Sequence, residues 1–263
     1  MKNKLLIIAG PCVVQDLDTT YQIAKKCKKV CEKYNTDFIF KASFKKANRT
    51  KLESFSGINR LSALEILKKV KEDLGILTIT DIHETIDCEI VSKYVDYAQI
   101  PAFLCRQTEL LTEASKYFKK VNIKKGQWMS HKEMIFAKNK VLNNPKSISK
   151  NVFLTERGNI FGYNNLIVDF TNISEMKDRN SLLIVDCTHS VQKPNSGTGK
   201  TGGDSSKIET IAKCAIVSGA NGLFIETHPI PKDSPSDAES MLNLSKFDNL
   251  IKKCSELYKM ENK

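Results

Sequence analysis

Short apolar runs alternate with longer amphipathic stretches along the whole chain. Runs at 5–9 (LLIIA), 37–41 (DFIFK), 76–80 (ILTIT), 97–100 (YAQI), 121–124 (VNIK), 152–155 (VFLT), 182–185 (LLIV) and 222–225 (GLFI) read as strands. Between them, apolar residues recur at helical spacing over 18–33, 61–74, 84–94, 108–118, 130–139, 205–218 and 250–260. A weaker helix fits 173–178, and 166–170 looks extended. Asp18 is placed to cap the first helix. Strands this apolar suit a parallel sheet buried on both faces. Eight strands, each followed by a helix, in 263 residues predict an α/β fold, a (β/α)8 TIM barrel, with residues 1–263 forming one domain. The alternative is an open doubly wound sheet. That arrangement usually needs a Gly-rich turn after a strand, and no GxGxxG follows any strand here.

Composition bounds the function without choosing it. With 41% hydrophobic and 27% charged residues, the chain is neither a disordered polyelectrolyte nor a low-charge membrane protein. The apolar run near the start spans about six residues, short of the roughly 7–15 of a secretory core. No run approaches the roughly 18 of a membrane span. Eight scattered cysteines form no CxxC pair, which predicts free thiols in a reducing cytoplasm. Lys plus Arg outnumber Asp plus Glu by 41 to 30, a net charge of +11. That surplus fits nucleic acid, an anionic membrane or a phosphorylated small molecule, and equally a lysine-rich proteome with no function attached. Only five basic residues are arginine (Arg49, Arg60, Arg106, Arg157 and Arg179), so each marks a place where a bidentate fork can matter.

A barrel puts its reactive groups at the C-terminal strand ends. Here those ends carry Gly10-Pro11-Cys12; Lys41 with Ser43, Lys46, Asn48 and Arg49; Asp81 with His83; and Gln99 with Ala102 and Arg106. The remaining four carry Lys124-Lys125; Glu156-Arg157; Asp186 with His189; and Glu226 with Asp237 in the following loop. Lys41, Lys46, Arg49, Arg106, Lys124 and Arg157 would place six cations around one mouth. Such a ring repels itself and calls for anions, from two phosphorylated substrates or from a phosphate and a carboxylate. Cys12, His189, Glu226 and Asp237 come from strands one, seven and eight, which are neighbours in a closed barrel. One thiolate, one imidazole and two carboxylates suit a divalent metal ion such as Zn2+, Fe2+ or Mn2+.

Two other features carry less. Gly197-Thr198-Gly199-Lys200-Thr201 looks like half a phosphate loop, but the required first glycine is Pro194. The stretch 193–207 is better read as a flexible loop and a possible lid. Aromatic residues are sparse beside the basic ones, which argues against a stacking platform for single strands. No nucleic acid and no membrane partner is expected.

Seven segments together resemble the 3-deoxy-D-manno-octulosonate 8-phosphate synthases. They are Ala9-Gly10-Pro11-Cys12, Lys41-Ala42-Ser43-Phe44 with Lys46-Ala47-Asn48-Arg49, Gln99-Ile100-Pro101-Ala102 with Arg106-Gln107, Asn122-Ile123-Lys124-Lys125-Gly126, Glu156-Arg157-Gly158 with Phe161-Gly162-Tyr163, Asp186-Cys187-Thr188-His189-Ser190, and Glu226-Thr227-His228-Pro229. The likeness runs in order from about residue 7 to residue 255. It implies a barrel that condenses phosphoenolpyruvate with D-arabinose 5-phosphate and water in lipopolysaccharide core synthesis, as a homotetramer in a Gram-negative cytoplasm. Cys12 implies the metal-dependent form, with Cys12, His189, Glu226 and Asp237 as ligands. The resemblance further implies that Lys41, Lys46, Lys124 and Arg157 hold phosphoenolpyruvate, helped by Gln99 and the Ala102 backbone. Asn48 and Arg49 would bind the pentose, and Arg106 would complete a phosphate site, across a subunit boundary in one reading. Ser43 and Asp81 would line the substrate site. Lys46, His189 and Asp237 would move protons. Relatives usually carry an arginine soon after the double glycine, where this chain has Lys207 as the candidate replacement, and Trp128 stands where phenylalanine is usual. The nearest alternative is a seven-carbon synthase using erythrose 4-phosphate, and a more distant one is a basic nucleic-acid-binding protein.

Overall fold

The computed structural model describes residues 4–49, 51–161, 164–194 and 201–262. Eight parallel strands follow one another around a closed ring: β1 (Leu6–Gly10), β2 (Asp37–Lys41), β3 (Leu77–Asp81), β4 (Tyr97–Ile100), β5 (Lys120–Lys124), β6 (Asn151–Glu156), β7 (Ser181–Asp186) and β8 (Gly222–His228). The ring closes where β1 pairs with β8, from Leu6 opposite Gly222 to Gly10 opposite Glu226. Alternation along each strand divides the core in two. Leu6, Ile8, Ile39, Ile79, Phe153, Ile184 and Phe224 fill the barrel interior. Their neighbours, among them Ile7, Ala9, Phe40 and Leu183, face the helices.

The covering helices are α1 (Leu17–Lys33), α2 (Arg60–Leu74), α3 (Asp87–Ser92), α4 (Thr108–Tyr117), α5 (Met134–Leu142), α6 (Ile208–Val217) and α7 (Leu244–Glu261). In α1 the buried residues Thr20, Ile23, Ala24, Cys27, Val30 and Cys31 form one stripe, so Cys27 and Cys31 are packing groups. All eight cysteines are free, and all but Cys214 are buried.

Four local expectations change. Asp16 caps α1, accepting from the Thr19 amide at 2.7 Å, and Asp18 lies in the first turn. No α-helix joins β6 to β7 among the described residues: 173–178 holds a single 3₁₀ turn, Ile173–Met176. Of 166–170, only Leu166–Ile167 is paired, antiparallel to Asn159–Ile160. Ile173 and Met176 are buried, so this turn covers the barrel wall without a full helix. α7 begins at Leu244, earlier than its periodicity suggests, because Asn243 caps it through the Ser245 amide at 2.9 Å. Among the described residues no helix is long and apolar enough to cross a membrane.

Candidate active site

The seam between β1 and β8 brings Cys12, Glu226 and Asp237 together. Gly10 makes the approach possible: a Cβ there would overlap the Lys41 carbonyl oxygen. Cys12 Sγ donates to Asp237 Oδ2 at 3.0 Å, and the ligand atoms of Cys12, Glu226 and Asp237 all lie within 4.8 Å of one another. Asp237 sits in the left-handed region at φ 55°, which costs a residue with a Cβ about 1–2 kcal/mol. Burial, reinforced by Glu226, pushes the Cys12 thiol far up, against the nearby Lys46 and Lys41. Asp237 moves the other way. Burial opposes its charge, but His189, Lys46 and the Cys12 hydrogen bond hold it well below the usual carboxylate range.

His189 stands beside this trio rather than inside it. Its Nδ1 is 2.7 Å from Asp186 Oδ2 and 3.4 Å from Lys124 Nζ. The shorter contact assigns the ring proton to Nδ1, donating to Asp186. Nε2 stands 3.7 Å from Glu226 Oε2. Asp186 is fixed in turn by the amides of Thr188 and His189 at 3.1 and 2.8 Å. A carboxylate orienting an imidazole in this way is the usual support of a metal-ligating histidine. The donor set of one thiol, two carboxylates and this imidazole fits a borderline divalent ion.

Lys41, Lys124 and Arg157 are buried at the same end of the barrel. Lys41 Nζ donates to Glu226 Oε1 at 2.9 Å, Ser43 Oγ at 3.1 Å and the Cys12 carbonyl at 3.3 Å, with Asp81 Oδ2 at 3.4 Å. Burial works against its charge, yet Asp81 and Glu226 prevail and raise it well above the ordinary lysine range. Lys124 pairs with Asp186 and lies over the Phe224 ring, 3.7 Å from the centroid. Here burial outweighs Asp186 and the ammonium is pushed down. Arg157 Nη2 donates to Gln192 Oε1 at 2.6 Å, while Nη1 is buried with no partner among the described residues.

The remaining candidates complete the rim. Lys46 is half-buried, and its charge helps hold Asp81, Glu226 and Asp237 down. Arg49 Nη1 donates to Ser236 Oγ at 2.9 Å, and Ser236 donates to Asp237 Oδ2 at 2.7 Å. Asn48 is exposed beside it. Ala102 is buried at the start of the 3₁₀ turn Ala102–Leu104. Gln99 lies in a buried chain of hydrogen bonds that crosses four strands. Thr155 donates to Asn122 at 2.6 Å, Asn122 to Gln99 at 2.8 Å, and Gln99 to Asp81 at 2.5 Å, with Ser43 on the other Asp81 oxygen.

Two sequence-based expectations need correction. Arg106 does not join the other cations of its own chain. It is exposed and lines a surface hollow with Met129, Glu133, Phe136, Ala137 and Lys140, and its carbonyl accepts from Lys140 at 2.9 Å. The five cations that do gather are not an unbalanced ring either, because Asp81, Asp186, Glu226 and Asp237 stand among them. The need for outside anions narrows to N–H groups left without partners, Arg157 Nη1 and Arg49 Nε. Lys207 is exposed and faces Asp204 at 3.5 Å. Trp128 is 55% exposed, tilted against Phe103. Residues 162–163 and 195–200, including most of the half phosphate loop, lie outside the described residues.

Asn122 and Thr155 carried a legible signal, as polar residues at inward positions of apolar strands. Asp186 carried one too, as a carboxylate ending a strand. Gln192 and Ser236 had none.

A parallel eight-stranded barrel with lysines, an arginine and a thiol–carboxylate cluster at its C-terminal mouth defines an enzyme-like architecture built for anionic small molecules. The chain belongs to the DAHP synthetase I family, whose profile matches residues 1–262. It is 41% identical over 269 residues to the 2-dehydro-3-deoxyphosphooctonate aldolase of Helicobacter acinonychis (strain Sheeba), covering 98% of this chain and 96% of that one. The proteins of the same name from Fusobacterium nucleatum and Campylobacter jejuni (serotype O:6) are 40% identical over 259 residues and 41% over 271. Those alignments cover 98% and 99% of this chain, and 92% and 100% of the relatives.

Proposed function

We propose that this chain condenses phosphoenolpyruvate with D-arabinose 5-phosphate and water, giving 3-deoxy-D-manno-octulosonate 8-phosphate and inorganic phosphate. The observation that carries the reading is a mouth where buried Lys41, Lys124 and Arg157 border the Cys12–Glu226–Asp237 cluster, in a chain about 40% identical end to end to aldolases named for that product. The enzyme is a transferase of lipopolysaccharide biosynthesis, cytoplasmic and homotetrameric in this reading.

Lys41, Lys46, Lys124 and Arg157 bind the phosphate and carboxylate of phosphoenolpyruvate. Arg157 offers Nη1, which has no partner to give up among the described residues. Gln99, its amide oriented by Asn122 and Asp81, helps position that substrate with the Ala102 backbone and Ser43. Asn48 and Arg49 bind the pentose, Arg49 on its 5-phosphate, and Arg106 of another subunit completes a phosphate site. Carbon three of phosphoenolpyruvate attacks the aldehyde carbon. Water adds to carbon two, and phosphate leaves with its C–O bond broken. In this reading Lys46 and Asp237 move protons, and His189, held by Asp186, assists. The fixed cations stabilise charge that shifts as the C–C bond forms. A divalent ion (Zn2+, Fe2+ or Mn2+) held by Cys12, His189, Glu226 and Asp237 would supply Lewis-acid polarisation.

The test is phosphate release from phosphoenolpyruvate, measured with arabinose 5-phosphate, with erythrose 4-phosphate and with neither. Release dependent on arabinose 5-phosphate supports the reading. Turnover of erythrose 4-phosphate alone would place the chain with the seven-carbon synthases.

A further inference from the structure

One side chain joins the two halves of the site. Gln192 is buried, its Oε1 accepting from Arg157 Nη2 at 2.6 Å and its Nε2 donating to Asp237 Oδ1 at 2.7 Å. The amide is polarised to match both neighbours, an acceptor toward the cation and a donor toward the anion. Its backbone is pinned as well. Gln192 pairs with Gly203 in a two-stranded ribbon, and the Asp204 amide donates to the Val191 carbonyl at 3.0 Å. Gly203 in turn lies so close to Ser240 that a Cβ would stand 2.7 Å from the serine side chain, and its amide donates to Glu239 at 3.1 Å. The ribbon is thereby seated on the Asp237–Ser240 turn.

We propose that Gln192 is a positioning residue that holds Arg157 and Asp237 in one fixed relation, so that the arginine's free Nη1 and the carboxylate meet their substrates in register. This inference rests on the reading that Arg157 binds phosphoenolpyruvate. Arg157 has no other hydrogen-bonded side-chain partner among the described residues. Without the amide, its guanidinium loses the contact that sets its plane.

Two variants separate the two ends of the bridge. Gln192→Leu removes both contacts. Gln192→Glu keeps an acceptor for Arg157 but opposes Asp237 with a like charge. Phosphoenolpyruvate affinity is measured by calorimetry on chelated protein, alongside KM, kcat, bound metal per chain and the melting midpoint. For Gln192→Leu, the dissociation constant and KM for phosphoenolpyruvate rise about tenfold, the loss expected for one charge-assisted hydrogen bond. For Gln192→Glu, phosphoenolpyruvate affinity stays within about threefold of wild type, while kcat or bound metal falls about tenfold. Equal losses of midpoint in both variants with phosphoenolpyruvate affinity unchanged would overturn the proposal. If Gln192→Leu does not fold, a Gln192→Glu protein with unchanged kcat and metal content overturns it alone. Failure of the wild-type protein to release phosphate with arabinose 5-phosphate is a separate result, and it sinks the functional reading itself.

Discussion

Replacing Lys41 by methionine removes the cation at the centre of the buried charge network. Lys41 and Glu226 are each 1% exposed in their side chains, and Asp81 lies on the other side of the ammonium. Methionine matches the aliphatic stem, so packing changes little and the electrostatic loss dominates. Breaking a buried pair by deleting one partner costs about 3–5 kcal/mol, because the other charge stays buried without compensation. At about 2–4 °C per kcal/mol for a chain near this size, the melting midpoint falls by about 6–20 °C. The assay is thermal unfolding by circular dichroism at pH 7 in chelator. The double variant Lys41→Met/Glu226→Gln removes both charges and is more stable than Lys41→Met, with a coupling of about 1 kcal/mol or more. Added Mn2+ also recovers part of the midpoint of Lys41→Met, since a cation beside Cys12 and Asp237 neutralises Glu226. A Lys41→Met midpoint within about 2 °C of wild type, or a double variant that loses the sum of the single losses, refutes the network described here.

Chelation abolishes phosphate release, and Cys12→Asn lowers bound metal per chain by atomic emission; full activity of rigorously metal-free protein contradicts the proposed site. Gly10→Ala forces a Cβ onto the Lys41 carbonyl and destabilises the barrel by upwards of about 3 kcal/mol, read as a lower urea midpoint, and an unchanged midpoint counts against the strand packing. Asp81, Asp186 and Glu226 have folded values held below their unfolded ones, Asp81 by Lys41, Asp186 by His189 and Lys124, and Glu226 by Lys41, all against the opposing effect of burial. The folded state therefore binds fewer protons than the unfolded chain near the ordinary carboxylate values of about 4, and stability present above them is lost as pH falls through that range and below. Melting midpoints that fall between about pH 5 and pH 3 agree with this, and a flat profile does not.

Much of the fold was legible because its signals are local. Short apolar runs such as 5–9 and 182–185 suit strands of a parallel sheet, and eight such strands alternating with helices in one chain make a closed barrel the simplest arrangement. The errors fell where local signals compete. The apolar residues near Ile173 read as a helix, yet a 3₁₀ turn is enough to cover the wall there. Asp18 suits a cap by residue type, but the turn geometry gives that place to Asp16.

By itself the sequence indicated most of the residues that reach the barrel mouth, since the C-terminal end of every parallel strand points the same way. It also placed Cys12 near Glu226, because a closed barrel must pair its first strand with its last, as Gly10 and Glu226 do. Tertiary structure alone decided how those groups neutralise one another. Lys41 lies between Asp81 and Glu226, Lys124 on Asp186, and Gln192 between Arg157 and Asp237. Arg106, identical in type and also near a strand end, turns to the outer surface instead. Hydrogen-bond choice among buried charges depends on register and reach across strands far apart in the chain, and no local pattern encodes it.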